Sequence, residues 1–105
     1  MKVHDDIYAS NGTSYHGHQI FATAQSLIDL FGAPTFTAAS CDGGQMEWLL
    51  DHNGKCITVY DRWYRWLKPY KLTDDIIWNI GAHNAYDAMT ACDELNELIQ
   101  QHNAK

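Results

Sequence analysis

The stretch MEWLLDHNGKCITVYD, residues 46 to 61, constrains the fold more than any other part of the chain. Its Asn53-Gly54 pair is the one preferred by a two-residue type I′ turn, because both central positions of that turn need positive φ. β-type runs flank the pair on both sides. A two-residue loop leaves the register no freedom, so Leu50 must face Ile57 and Trp48 must face Val59. Strand alternation then sorts the residues onto two faces. Met46, Trp48, Leu50, Ile57 and Val59 form an apolar face suited to a core. Glu47, Leu49, Asp51, Cys56, Thr58 and Tyr60 form a mixed face, either half-solvated or the lining of a site.

The flanking sequence supplies the other layers. In DDIYASNGTSYHGHQIF, Ser10, Asn11 and Gly12 separate two β-type stretches and lead us to expect a first hairpin. TAQSLIDLFGAP reads as a short helix, with Thr23 as N-cap, Leu27, Ile28 and Phe31 on one face, Gly32 as the left-handed stop and Pro34 blocking continuation. A strand is expected over Ile76 to Ile80, ending at Gly81. A long helix follows from an Asn84 N-cap, with Asp87 near its positive end. Its apolar stripe is Ala85, Ala88, Met89, Cys92, Leu95, Leu98 and Ile99. The sum is an α+β fold of one antiparallel sheet (hairpin, helix, three or more strands, helix) with two helices packed on one face. The 105 residues form a single compact domain, 1 to 105, long enough for a core without disulfides or a structural metal.

Several function classes are disfavoured by composition. The formal net charge of −6 argues against duplex nucleic acid or an anionic membrane as the main partner. The first residues, MKVHDDIYAS, lack a signal-peptide pattern, and no segment is apolar enough to span a bilayer, so a cytosolic location is expected. Cys41, Cys56 and Cys92 are widely spaced, form no Cys-x-x-Cys pair and are expected to be inert. His16 and His18 have the spacing of two ligands on one side of a strand, but further ligands are not in view and no metal or cofactor is expected. No Gly-x-Ser-x-Gly elbow or glycine-rich phosphate loop occurs, and CDGGQ (41 to 45) reads as a turn, so the chain is not expected to be an enzyme.

One segment concentrates its chemistry. YDRWYRWLKPYK, residues 60 to 71, holds Arg62, Arg65, Lys68 and Lys71, four of the seven basic residues, among Trp63, Tyr64, Trp66 and Tyr70. Guanidinium groups fork onto phosphate, and aromatic faces stack on bases for about 1 to 3 kcal/mol each. The combination suits a phosphate with a base attached. An equally physical reading buries the tryptophans as core anchors while the basic stems reach to water.

Motifs spread over most of the chain carry a resemblance. Gly12, Thr13, Ser14, Tyr15 and Gly17, then Phe31, Gly32 and Pro34, Glu47 and Trp48, Val59, Tyr60 and Asp61, and Trp78, Ile80 and Gly81 resemble the pattern of a group of small phage-encoded proteins. Two positions depart from it: Asn79 stands where the group has histidine, and Ala82 where it has a second glycine. The group is similar in kind to anti-CBASS sponges. That resemblance implies a non-catalytic phage anti-defence protein in the host cytosol, which binds and sequesters a cyclic oligonucleotide immune signal such as a cyclic dinucleotide. It also implies a homodimer or larger homo-oligomer. The expected ligand-binding residues are Thr13, Ser14, Tyr15, His16, Tyr60, Arg62, Trp63, Arg65 and Trp78, although Trp78 also suits a core anchor. The rival reading is a protein–protein inhibitor of a host defence enzyme, of anti-CRISPR or nucleic-acid-mimic type, whose face would be built from Asp5, Asp6, Asp74, Asp75, Asp93, Glu94 and Glu97.

Overall fold

The computed structural model describes residues 1–37, 46–61 and 70–104. CDGGQ and most of the aromatic-basic run, 62–69, lie outside them. In order, the elements are β1 (Lys2–Val3), β2 (Ser14–Thr23), α1 (Ala24–Phe31), β3 (Phe36–Thr37), β4 (Met46–His52), β5 (Lys55–Tyr60), β6 (Asp75–Ala82) and α2 (Ala85–Asn103). The strands form one antiparallel sheet in the order β1-β4-β5-β6-β2, with β3 paired to β4 beside β1.

The central hairpin has the expected register. Trp48 opposes Val59 and Leu50 opposes Ile57, and Asn53 and Gly54 both have positive φ, at 54° and 82°. The Asp51 carboxylate accepts a hydrogen bond from the Gly54 N–H at 2.7 Å and closes the turn.

The expected first hairpin does not form. β1 pairs with β4, and β2 crosses to the far edge of the sheet to pair with β6. Residues 7 to 12 do turn, but two residues of β1 offer too few ladder bonds to hold β2, whereas the ten residues of β2 find a long partner in β6. The β2 register against β6 is interrupted between Tyr15 and Gln19, where three residues of one strand face one of the other. Gly17 sits inside this bulge with φ of 88°, a conformation that glycine adopts without strain.

Both helices start where the sequence indicated. The Thr23 hydroxyl accepts from the Ser26 N–H at 3.0 Å, and the Asn84 side chain accepts from the Asp87 N–H at 2.8 Å. Gly32 ends α1 at φ 83°. α2 lies across β2, β6 and β5, and α1 packs against α2. The buried stripe of α2 is Ala88, Ala91, Cys92, Leu95 and Ile99. Ala85 and Met89 depart from the expected stripe, since both are exposed; one residue beyond Met89, Thr90 turns toward β4 and meets His52.

The core lies between the helices and one face of the sheet. Trp48 and Trp78 meet edge to face at 5.4 Å, with Leu50, Ile57, Val59 and Ile80 around them. Both indoles are buried with their N–H groups satisfied, by the carbonyls of Gly32 and Ala22, each at 3.0 Å. A polar seam closes one rim. His52 pairs with Glu94 at 2.5 Å and reaches the Thr90 hydroxyl at 3.2 Å, while the N-terminal ammonium approaches the other Glu94 oxygen. Together these contacts tie the end of β4 and the chain start to α2.

Candidate functional site

The opposite face of the same strands carries a groove of about 520 Å³. One wall is the turn Ser10, Asn11, Gly12 and Thr13 with the first residues of β2, Ser14 and Tyr15. The other comes from β4 and β5 through Glu47, Thr58 and Tyr60. These positions are the mixed face that strand alternation separated from the core.

Register explains why they meet. Thr58 pairs with Gly81, which pairs in turn with Tyr15, so one row crosses β5, β6 and β2. The next row runs Glu47, Tyr60, Asn79 and Gln19. Gly81 has no side chain where these rows converge. A methyl group there would overlap the Thr58 hydroxyl and come within 3.4 Å of the Tyr60 ring and 3.6 Å of the Ser14 carbonyl. Glycine at this position lets the Thr58 hydroxyl and the Tyr60 ring pack closely over the β6 backbone. Beside it the Gln19 amide donates to Asn79 Oδ1 at 2.8 Å, which fixes a buried polar group under this face.

The turn wall is internally braced. Thr13 donates to the Ser10 carbonyl through both its N–H, at 2.9 Å, and its hydroxyl, at 2.6 Å. Gly12 has φ of 86° and lies against the His83 imidazole. His83 Nε2 donates to the Ala9 carbonyl at 3.2 Å, pinning the loop to the start of α2.

Four of the expected site residues, Thr13, Ser14, Tyr15 and Tyr60, come together in this groove. His16 does something different. Its Nε2 lies 3.1 Å from the Ala82 carbonyl and 3.3 Å from the Ser14 hydroxyl. A carbonyl only accepts, so that nitrogen carries a proton and cannot act as the base that would activate Ser14. Trp78 is corrected from ligand contact to core anchor, because it points to the helix face and is fully buried beneath Trp48 and Tyr70. Arg62, Trp63 and Arg65 lie outside the described residues. The sequence did not single out Ser10, Asn11, Gly12, Glu47 and Thr58 as site residues, although the turn signal and the strand alternation set most of them apart.

Among the described residues lining the groove, Glu47 is the one that carries charge. Its carboxylate is felt on the neighbouring strand. Burial first, then Glu47, Asp6 and Asp51, push the Cys56 thiol up to about 11. Burial similarly raises the Cys92 thiol, so neither cysteine is a ready nucleophile. Among the described residues no three His, Cys, Asp or Glu side chains gather as a metal site requires. No described helix is long and apolar enough to cross a membrane.

A second short-range device lies at the edge of the core, where Met46 and Tyr70 pack. The buried Asp61 carboxylate accepts from the Met46 N–H at 3.1 Å and from the Tyr70 hydroxyl. One side chain thus joins the start of β4, the end of β5 and the residue that leads into the turn before β6.

The chain matches no known protein family, no curated protein and no solved structure.

Proposed function

We propose that this chain is a binding protein which sequesters a cyclic oligonucleotide without turning it over, as a phage anti-defence protein acting in the host cytosol and assembled as a homo-oligomer. The observation that carries this reading is that Tyr15 and Tyr60 line one groove together with the hydroxyl side chains of a tight turn, Thr58 and Glu47. Planar bases stack on such rings, and the hydroxyl and backbone groups of Ser10 to Ser14 offer hydrogen bonds to ribose and phosphate oxygens. Countercharge for the phosphates is assigned to Arg62 and Arg65, which follow Tyr60 closely in the sequence.

Isothermal titration against a panel of cyclic di- and trinucleotides tests it. We expect saturable binding of at least one member and its recovery intact after prolonged incubation. Absence of heat and of any thermal shift across the panel overturns the reading, and recovery of a cleaved product makes the protein an enzyme.

One observation favours a protein partner instead. Phe21 and Ile77 oppose each other across β2 and β6 on the groove side and are exposed at 63% and 42%. An exposed apolar pair on a sheet suits contact with another protein surface, such as a host enzyme to be inhibited. Affinity capture from host lysate separates the readings, since a sponge retains a nucleotide and an inhibitor retains a protein.

A further inference from the structure

Resting on the reading of the chain as a homo-oligomer, we infer that two copies join through the outer edge of β2, residues 19 to 23 pairing antiparallel with the same segment of the partner copy to give one continuous sheet. The two edges of the sheet are built very differently. At one edge stand β1 and β3, of two residues each, with Lys2 in β1. Short strands and lysine are common guards of an edge, because they deny another chain a row of backbone groups to pair with. At the other edge stands β2, ten residues long. Among the described residues no strand pairs with its outer side. The bulge between Tyr15 and Gln19 guards its first half. From Gln19 to Thr23 it runs in unbroken register with β6 and carries neither a charged residue nor a proline.

Charge selects the partner. With a formal net charge of −6, two copies repel over most of their surface. Between Asp6 and Asp29 the sequence contains no Asp, Glu, Lys or Arg, and β2 lies wholly inside that interval. Two copies therefore meet along β2 without opposing like charges. Opposite charge is what steers a foreign partner to an acidic protein, and this edge presents none. An antiparallel edge is also complementary to itself: a two-fold axis sets the N–H and C=O groups of one copy against those of the other and closes the assembly at two chains. With that axis near Phe21, the Phe21 ring, exposed at 63%, lies beside its own counterpart, and the contact removes both rings from water. On the helix side the carbonyls of Gln19 and Ala22 accept from the Cys92 thiol and the Trp78 indole. A carbonyl has two lone pairs, so these bonds leave each oxygen able to join a ladder.

Sedimentation equilibrium of the intact protein, run without nucleotide over a range of concentrations, reads the assembly. We expect a monomer–dimer equilibrium. Phe21→Lys installs the guard that this edge lacks and should weaken the dimer at least about tenfold. Met89→Lys adds the same charge at an exposed site on α2 and should leave the dimer unchanged. Hydrogen exchange supplies a readout that needs no variant: outward-facing backbone amides of residues 19 to 23 should exchange more slowly in the dimer than in dilute monomer. A chain that stays monomeric at every concentration, a dimer that both lysine variants weaken equally, or exchange over residues 19 to 23 that is indifferent to association overturns the inference. Titration of wild type and Phe21→Lys with the cyclic nucleotide panel keeps the two readings apart. Nucleotide binding without a β2 dimer overturns the interface and leaves sequestration standing, whereas a β2 dimer that binds no nucleotide upholds the interface alone.

Discussion

The two faces of β4, β5 and β6 are built from alternate residues of the same three strands, yet they solve opposite problems. On the helix side Trp48, Leu50, Ile57, Val59, Trp78 and Ile80 are all fully buried, with large side chains filling the space and every indole N–H satisfied. On the groove side the row through Thr58, Gly81 and Tyr15 uses glycine at its centre, and the Thr58 hydroxyl takes the place a side chain there would need. One face is closed by large apolar side chains, and the other borders the groove lined by Tyr15, Glu47, Thr58 and Tyr60. The difference teaches that substitutions one residue apart on a strand should move stability and binding separately.

The largest effect is expected on the filled face. Trp78→Ala removes the ring that touches Trp48 and Tyr70 and leaves the Ala22 carbonyl without its donor. Truncating a buried tryptophan costs about 3 to 5 kcal/mol, a large share of the total for a small domain. Chemical denaturation should show that loss. A change below about 1 kcal/mol would mean that Trp78 is not the anchor its burial indicates.

Gly81→Ala tests the open face and comes next. The added methyl meets the Thr58 hydroxyl, so overpacking should cost about 1 to 3 kcal/mol, and any groove ligand should bind more weakly. The contact atom belongs to a side chain, which makes the cause separable. Thr58→Ala in the Gly81→Ala background should recover part of the loss, giving a coupling energy of about 0.5 kcal/mol or more in a double-mutant cycle. Additive losses would place the cost of Gly81→Ala in the backbone rather than in the packed row.

The filled face was far more legible in the sequence than the open one, for a physical reason. The Asn53-Gly54 turn is local, so it set the hairpin register without knowledge of anything distant, and the caps at Thr23 and Asn84 are equally local. Strand alternation even isolated Glu47, Thr58 and Tyr60 as a separate face. What faces them depends on pairings more than sixty residues apart, such as Tyr15 with Gly81, which local pattern does not encode. The same limit explains the misplaced first hairpin: a turn at Ser10 to Gly12 is written in the residues, but the partner of each flanking strand is chosen by the whole sheet. Trp78 illustrates the reverse. Residue type alone allowed stacking on a ligand or packing in a core, and only its place in the alternation of β6 decides between them.

Tyr15→Val sharpens the contrast with a substitution that should leave stability nearly alone. Tyr15 is exposed at 46%, and valine keeps the β preference of the site, so the unfolding free energy should change by no more than about 0.5 kcal/mol. Loss of a stacking ring should lower ligand affinity by about 5- to 150-fold. Unchanged affinity with unchanged stability would take Tyr15 out of the site.

The smallest expected effect lies inside the open face itself, in the buried thiol beside the groove. Cys56 is raised from an ordinary 9.0 to about 11, by burial first and then by Glu47, Asp6 and Asp51. The folded chain therefore keeps a proton that the unfolded chain has released above pH 9. Its contribution to stability is complete below about pH 9 and is lost as pH rises through about 11. Glu47→Gln removes the first of the three carboxylates that hold the thiol up, so the loss of stability between pH 8 and pH 10.5 should be smaller in the variant. The difference should be a few tenths of a kcal/mol, because the carboxylate is partly solvated and screened. Urea denaturation of both proteins at the two pH values measures it, and tyrosine and lysine titration cancels in the comparison. Repeating the pair in a Cys56→Ala background should abolish the difference. A difference that survives there would show that Glu47 acts on alkaline stability through some group other than this thiol, and would uncouple the groove carboxylate from the buried row behind it.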